Sequence, residues 1–226
     1  MRELNRVIDH TILKPEATQM DIERICKEAL EHSFATVFIN PCWVSLVAKL
    51  LKGSHTKTGS VAGFPLGVST IEQKEKEAEE NIQNGAVEID MVMNIGRFKQ
   101  KDYGYVEEEI RSMRKVCLAP LNLKVIIEAG LLTDEEKKIA AKLIKDCGAD
   151  FVKTSTGFGS SGARVEDVAL LRKVVGPDFG VKASGGIRDC QFALKLLEAG
   201  ANRIGSSASV QIIQEFRRLQ TIEVKR

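Results

Sequence analysis

The segments Phe151-Val152-Lys153-Thr154-Ser155-Thr156-Gly157 and Gly180-Val181-Lys182-Ala183-Ser184-Gly185-Gly186 decide how this chain folds. Each is a short apolar run that ends on a lysine and then breaks into small, glycine-containing sequence. The two lysines lie about 29 residues apart, the length of one strand-loop-helix-loop unit of an α/β barrel. An amine in a buried strand is costly, so two in the same context call for a chemical reason. Ammonium groups on neighbouring strands repel, and a desolvated lysine that gives up its proton becomes a nucleophile toward carbonyl carbon.

Working outward from these segments, helical and strand periods alternate along the whole chain. Amphipathic segments are expected at about 18–32, 41–51, 70–84, 102–118, 134–146, 165–175, 189–199 and 207–219. Between them run apolar stretches at 36–39, 59–62, 87–91, 123–127, 150–153, 180–183 and 202–204, with a shorter one at 7–9 ahead of the first helix. Eight strands and eight helices in 226 residues are the size of one compact (β/α)8 TIM barrel. A weak internal repeat agrees: Asn84-Gly85-Ala86, Cys147-Gly148-Ala149 and Ala199-Gly200-Ala201 each close a helix and open a strand. No Pro-, Ser- or Gly-rich linker interrupts the pattern, so residues 1–226 read as one barrel domain. A doubly wound open sheet is the rival, but no G-x-G-x-x-G opens the first βα turn.

Composition narrows the function. With 43% hydrophobic and 28% charged residues and a net charge of +2, the chain has neither a basic stripe nor the charge of a nucleic-acid binder. No apolar run approaches the ~20 residues of a membrane span, and the start Met1–Arg6 lacks the apolar core of a signal peptide. Five scattered cysteines (26, 42, 117, 147 and 190) without a C-x-x-C pair suit a reducing compartment. A cytoplasmic protein that contacts neither membrane nor nucleic acid is expected.

Strand alternation then selects the residues that point into the barrel. In Val87-Glu88-Ile89-Asp90-Met91 the apolar residues suit the strand–helix layer, which turns Glu88 and Asp90 inward. The same parity turns Lys124, Lys153 and Lys182 inward, so four consecutive strands deliver Asp90, Lys124, Lys153 and Lys182 to one mouth. Any one of these lysines alone would be read as snorkelling or pairing with a carboxylate. Their convergence at matching strand ends is what points to catalysis. The loops after the last strands, Ser184-Gly185-Gly186-Ile187-Arg188 and Gly205-Ser206-Ser207, stand where many barrels hold phosphate on backbone N–H groups, and Thr154 and Gly157 after the sixth strand join that set. His10, His32 and His55 lack metal-ligand spacing, so no metal is expected. Glu72-Gln73-Lys74-Glu75-Lys76-Glu77 reads as a solvated helix face, and Trp43 as packing on the second helix.

At these residues the chain resembles the deoxyribose-phosphate aldolase family of class I aldolases. The resemblance runs from Asp9-His10-Thr11-Ile12-Leu13-Lys14-Pro15 through Gly63-Phe64-Pro65-Leu66-Gly67 and Glu88–Asn94 to the two lysine segments and Gly205-Ser206-Ser207. It implies a TIM barrel in which Lys153 forms the Schiff base, Lys182 is the second lysine and Asp90 the acid/base. Asp9, His10 and Thr11 fall on the family's N-terminal block, and Lys124 stands beside the catalytic set. The implied substrate is the sugar phosphate 2-deoxy-D-ribose 5-phosphate, cleaved without metal or organic cofactor to acetaldehyde and D-glyceraldehyde 3-phosphate. A homo-oligomer, dimer or tetramer, is implied too. Two features depart from the family pattern: Phe38 stands where many members have a cysteine, and the sequence ends Val224-Lys225-Arg226 where some members carry a terminal tyrosine. A transaldolase-like aldolase and a non-catalytic sugar-phosphate-binding protein stay open as alternatives.

Overall fold

Eight parallel strands pair in sequence order, and the last closes onto the first. They are β1 (Ile8–Ile12), β2 (Thr36–Ile39), β3 (Lys57–Ala62), β4 (Glu88–Val92), β5 (Asn122–Ile126), β6 (Phe151–Lys153), β7 (Gly180–Ser184) and β8 (Arg203–Ser206). This computed structural model describes residues 3–223, so the tail Val224-Lys225-Arg226 lies outside the described residues. The helices are α1 (Gln19–His32), α2 (Val44–Leu50), α3 (Ile71–Gln83), α4 (Ile95–Lys99), α5 (Tyr103–Val116), α6 (Asp134–Asp146), α7 (Val165–Val175), α8 (Cys190–Glu198) and α9 (Ser209–Glu223). The expected TIM barrel is therefore present.

Local chemistry explains the boundaries. Thr18, Thr70 and Thr133 each accept from the backbone N–H three residues on, while Asp21, Gln73 and Glu136 reach back to the cap, so α1, α3 and α6 start on reciprocal capping boxes. Gly85, Gly148 and Gly200 follow helix ends with positive φ, which a side chain there would oppose. Two differences from the sequence expectation bear on the site. β1 runs on through His10, Thr11 and Ile12 because these pair with Val37, Phe38 and Ile39 of β2. The short α4 is added after β4, capped by Asn94 accepting from the Arg97 N–H, and five residues are too few to show a helical period.

Alternation sorts the strands into two layers. Val37, Ile39, Ile89, Met91, Val125, Val152, Val181, Ala183 and Ile204 pack between sheet and helices as the apolar core. Val87 lies just before β4 and is partly exposed rather than packed in that layer. The opposite faces line the barrel interior, where Asp9, Glu88, Asp90, Lys124, Lys153 and Lys182 are all buried.

The reading of residues 72–77 as a solvated face needs correction at Lys74, which is fully buried. Its ammonium donates to Gly67 O at 2.8 Å, Val92 O at 2.7 Å and Glu109 at 2.5 Å, and Glu109 accepts from the Asn94 N–H at 2.9 Å. Glu77 accepts from the Gly63 N–H at 2.7 Å. These contacts tie the loop after β3 to the end of β4, a use that the surrounding charges conceal in the sequence. Glu72 and Lys76 keep the exposed i,i+4 pair expected of them. Among the described residues, no helix is long and apolar enough to cross a membrane.

Candidate active site

Asp90 is the centre of the barrel interior. One of its oxygens accepts from Lys153 Nζ at 2.8 Å and from Lys182 Nζ at 2.6 Å, and the other lies 3.1 Å from Lys124 Nζ. Strand register creates this convergence: Asp90 pairs with Lys124 across β4 and β5, and Lys153 with Lys182 across β6 and β7. Lys182 also lies 2.6 Å from Asp9 Oδ2, and Lys124 donates to Glu88 at 2.5 Å. Arg203 closes the floor, donating to Asp9, to Thr36 at 2.6 Å and to Glu88 at 3.1 Å.

The cluster thus holds four cationic side chains against three carboxylates, an excess of one positive charge in a desolvated space. Such an excess favours release of one proton. Burial alone would raise the Asp90 carboxyl, but Lys124, Lys153 and Lys182 outweigh it and hold it well below the carboxylate range. Burial likewise opposes ionisation of Asp9, yet Arg203 and Lys182 keep that carboxyl at about 2. Lys124 stays above its usual value because Asp90, Glu88 and Asp9 outweigh its burial. At Lys182 burial wins over Asp9 and Asp90, with Lys153 and Lys124 adding to it, and the ammonium is drawn down to about 8.

Above the cluster opens a cavity of about 710 Å³. Of the three clustered lysines only Lys153 borders it; Lys182, Lys124 and Asp90 lie beneath. Ser184, Gly185, Gly186, Gly205, Ser206, Ser207 and Gly157 border it as well, so the loops singled out from sequence meet at one place. Close packing requires the glycine at 205. A Cβ on Gly205 would come within 2.4 Å of Ser184 Oγ and 3.2 Å of Lys182 Cε. Ser184 borders this space, and its hydroxyl is buried without a hydrogen-bond partner among the described residues.

Not every candidate offers a free polar side chain to the cavity. Thr154 is fully buried, donating to Ser184 O and accepting from the Ser184 N–H, and so braces β6 against β7. The Ser206 hydroxyl is taken up by Ile187 O and the Ala208 N–H. His10 turns out of the barrel onto Glu28, with Nε2 to Oε2 at 2.8 Å. Sequence reasoning missed Arg203, although it shares inward parity with Gly205. It also missed Glu128, a buried residue with φ of 44° whose carboxylate receives the Thr156 N–H at 3.1 Å and hydroxyl at 2.5 Å. Glu128 thereby secures the loop that follows Lys153.

A desolvated lysine opening onto a cavity bordered by glycine- and serine-rich loops is equipment for amine chemistry on an anionic carbonyl compound, the trade of a barrel aldolase. Comparison with known proteins narrows this class. The DeoC/LacD family aldolase description matches residues 5–214, and the chain belongs to that family. A curated relative, the deoxyribose-phosphate aldolase of Clostridium tetani, is 53% identical over 94% of this chain and 99% of its own length. Among solved structures, a putative deoxyribose-phosphate aldolase from Coccidioides immitis is 41% identical with a TM-score of 0.92, covering 95% of this chain and 86% of that one. The deoxyribose phosphate aldolase from Aeropyrum pernix, described as having a unique tetrameric structure, is 33% identical with a TM-score of 0.89, covering 96% and 92%.

Proposed function

We propose that this chain is a class I aldolase that reversibly cleaves 2-deoxy-D-ribose 5-phosphate to D-glyceraldehyde 3-phosphate and acetaldehyde, with Lys153 forming the imine. The observation that carries this reading is the position of Lys153, the one lysine of the cluster open to the cavity. Its neutral amine adds to the C1 aldehyde, and the carbinolamine loses water to give the iminium. The C3 hydroxyl then gives up its proton as the C2–C3 bond breaks, and the bonding pair passes to the iminium nitrogen as an enamine. Glyceraldehyde 3-phosphate leaves, C2 takes a proton, and hydrolysis returns acetaldehyde and Lys153. Asp90 and Lys182, joined at 2.6 Å, lie next to Lys153 and move these protons with a water. The iminium supplies the electron sink that the reaction requires.

The phosphate is assigned to the backbone around Gly185, Gly186 and Ser207, with the unpartnered Ser184 hydroxyl available to it. Ser207→Asp, which sets a carboxylate against the dianion, is expected to raise KM for the phosphorylated sugar at least tenfold while changing unphosphorylated deoxyribose little. Equal losses on both substrates would remove the phosphate from this place.

The reading as a whole is tested by borohydride reduction in the presence of deoxyribose 5-phosphate, followed by peptide mass spectrometry. A two-carbon adduct on Lys153 is expected. An adduct on Lys182 would reverse the roles, and no adduct would favour a sugar-phosphate-binding protein. The same proposal takes the chain as a single barrel domain, cytoplasmic and assembled as a homo-oligomer. The free cysteines at 26, 42, 117, 147 and 190 suit the location, and light scattering would test the assembly.

A further inference from the structure

The Phe38 ring lies inside the barrel in the middle of the lysine cluster. Its centroid is 3.7 Å from Lys182 Nζ, 4.7 Å from Lys124 Nζ and 6.0 Å from Lys153 Nζ. The ring is held there by its surroundings. Phe38 is 1% exposed, and it lies over Gly59 of β3, where a Cβ would come within 2.6 Å of the ring carbons. It therefore has little freedom to turn away from the amines.

Lys182 meets three electron-rich groups: Asp90 Oδ2 at 2.6 Å, Asp9 Oδ2 at 2.6 Å and the face of this ring. The charge of an ammonium is attracted to all three. A neutral amine gives up that attraction and turns its lone pair toward a carboxylate or the negative face of the ring, both unfavourable. Lys153 is placed differently, with Asp90 as its one carboxylate partner and a side open to the cavity. From this geometry we infer that Phe38 is a positioning residue: its ring holds the cluster's shared positive charge on Lys182, so that Lys153 is the lysine that becomes neutral. This rests on the reading of Lys153 as the imine-forming lysine.

Burial draws the Lys182 ammonium down to about 8, and the attraction of the ring works against that loss, so the balance at Lys182 is a close one. Asp9 on β1 and Asp90 on β4 favour its charge. Lys124 on β5 and Lys153 on β6 oppose it, as does burial, and its register neighbour Arg203 on β8 adds a further cation below. Into this balance a desolvated cation–π contact brings a change worth about one pH unit or more. A ring that stabilises the Lys182 ammonium by that amount decides which of the two lysines is charged near neutrality.

The test replaces Phe38 by mono-, di- and trifluorinated phenylalanine, which weaken the negative ring face stepwise with little change in volume, and by leucine in Phe38→Leu. Two quantities are followed against pH: the rate of borohydride-trapped imine at Lys153 with acetaldehyde, and the NMR titration of Lys182 in protein carrying isotope-labelled lysine. Weakening the ring is expected to lower the titration of Lys182 and to move the acidic limb of trapping at Lys153 to higher pH. Both should follow the order of fluorination and reach about one unit in Phe38→Leu. A merely space-filling ring would alter thermal stability and leave both titrations in place. That result, or shifts in the opposite sense, would overturn the inference. Absence of a Lys153 adduct in the unmodified protein would instead refute the aldolase reading, while the Lys182 titration would still decide the role of the ring.

Discussion

Replacing Lys153 by leucine is expected to reduce cleavage of 2-deoxy-D-ribose 5-phosphate by on the order of 10⁵-fold or more, the scale seen when a covalent nucleophile is removed. The borohydride adduct should vanish with it. The barrel should survive the change, because the interior carries one positive charge in excess and Lys153 is the lysine with a single carboxylate partner. Asp90 keeps Lys182 at 2.6 Å and Lys124 at 3.1 Å, so no carboxylate is stranded. The melting temperature is accordingly expected to stay within a few degrees of the parent. Activity within tenfold of the parent, or an adduct that persists at another lysine, would sink the assignment of Lys153.

Asp90→Asn strikes the same site from the other side and is expected to cost both activity and stability. Four cations would then face only Asp9 and Glu88, and the new amide N–H groups would point at an ammonium. Removing one partner from a buried ionic cluster costs about 3–5 kcal/mol, a large part of the ~5–15 kcal/mol that holds a domain folded. For a chain of this size that lowers Tm by roughly 10 °C. Loss of the carboxylate to which proton transfer is assigned should reduce turnover by on the order of 10³-fold.

The pH dependence carries a sign that can be checked. In the parent the folded carboxyls of Asp90 and Asp9 lie below their unfolded values. Their contribution is therefore present above about pH 4 and fades as the pH falls toward and below the Asp9 value of about 2. In Asp90→Asn the crowded lysines bind protons less readily folded than unfolded, so stability should recover as the pH rises toward 10 or so. Chemical denaturation across this range measures both slopes. A variant with unchanged Tm and no recovery at alkaline pH would show that Asp90 is not the anion that holds the cluster.

Much of this protein was legible before any coordinates. Period-two and period-3.6 patterns are local, so the chain alone placed α6 and α7 at their observed ends and β2 at Thr36–Ile39. Strand parity is local too, and it turned Glu88, Asp90, Lys124, Lys153 and Lys182 into the barrel. The family resemblance in the lysine segments extended that reading to the chemistry. Local pattern failed where a residue's surroundings come from distant strands. Lys74 sits in a run of charges that reads as solvated, yet Glu109, thirty-five residues on, buries it. Arg203 gains its purpose only when β8 closes against β1 and sets it on Asp9. Lys153 and Lys182 are nearly equivalent in sequence, each a lysine at a strand end followed by small residues, and they share one rung of the sheet. What separates them is desolvation and partners: Asp9 from β1 and Phe38 from β2 enclose Lys182, while Lys153 opens to the cavity. Burial and electrostatic balance belong to the closed barrel, so the physical difference between these two like lysines lies in the tertiary structure, while the family resemblance alone already pointed to Lys153.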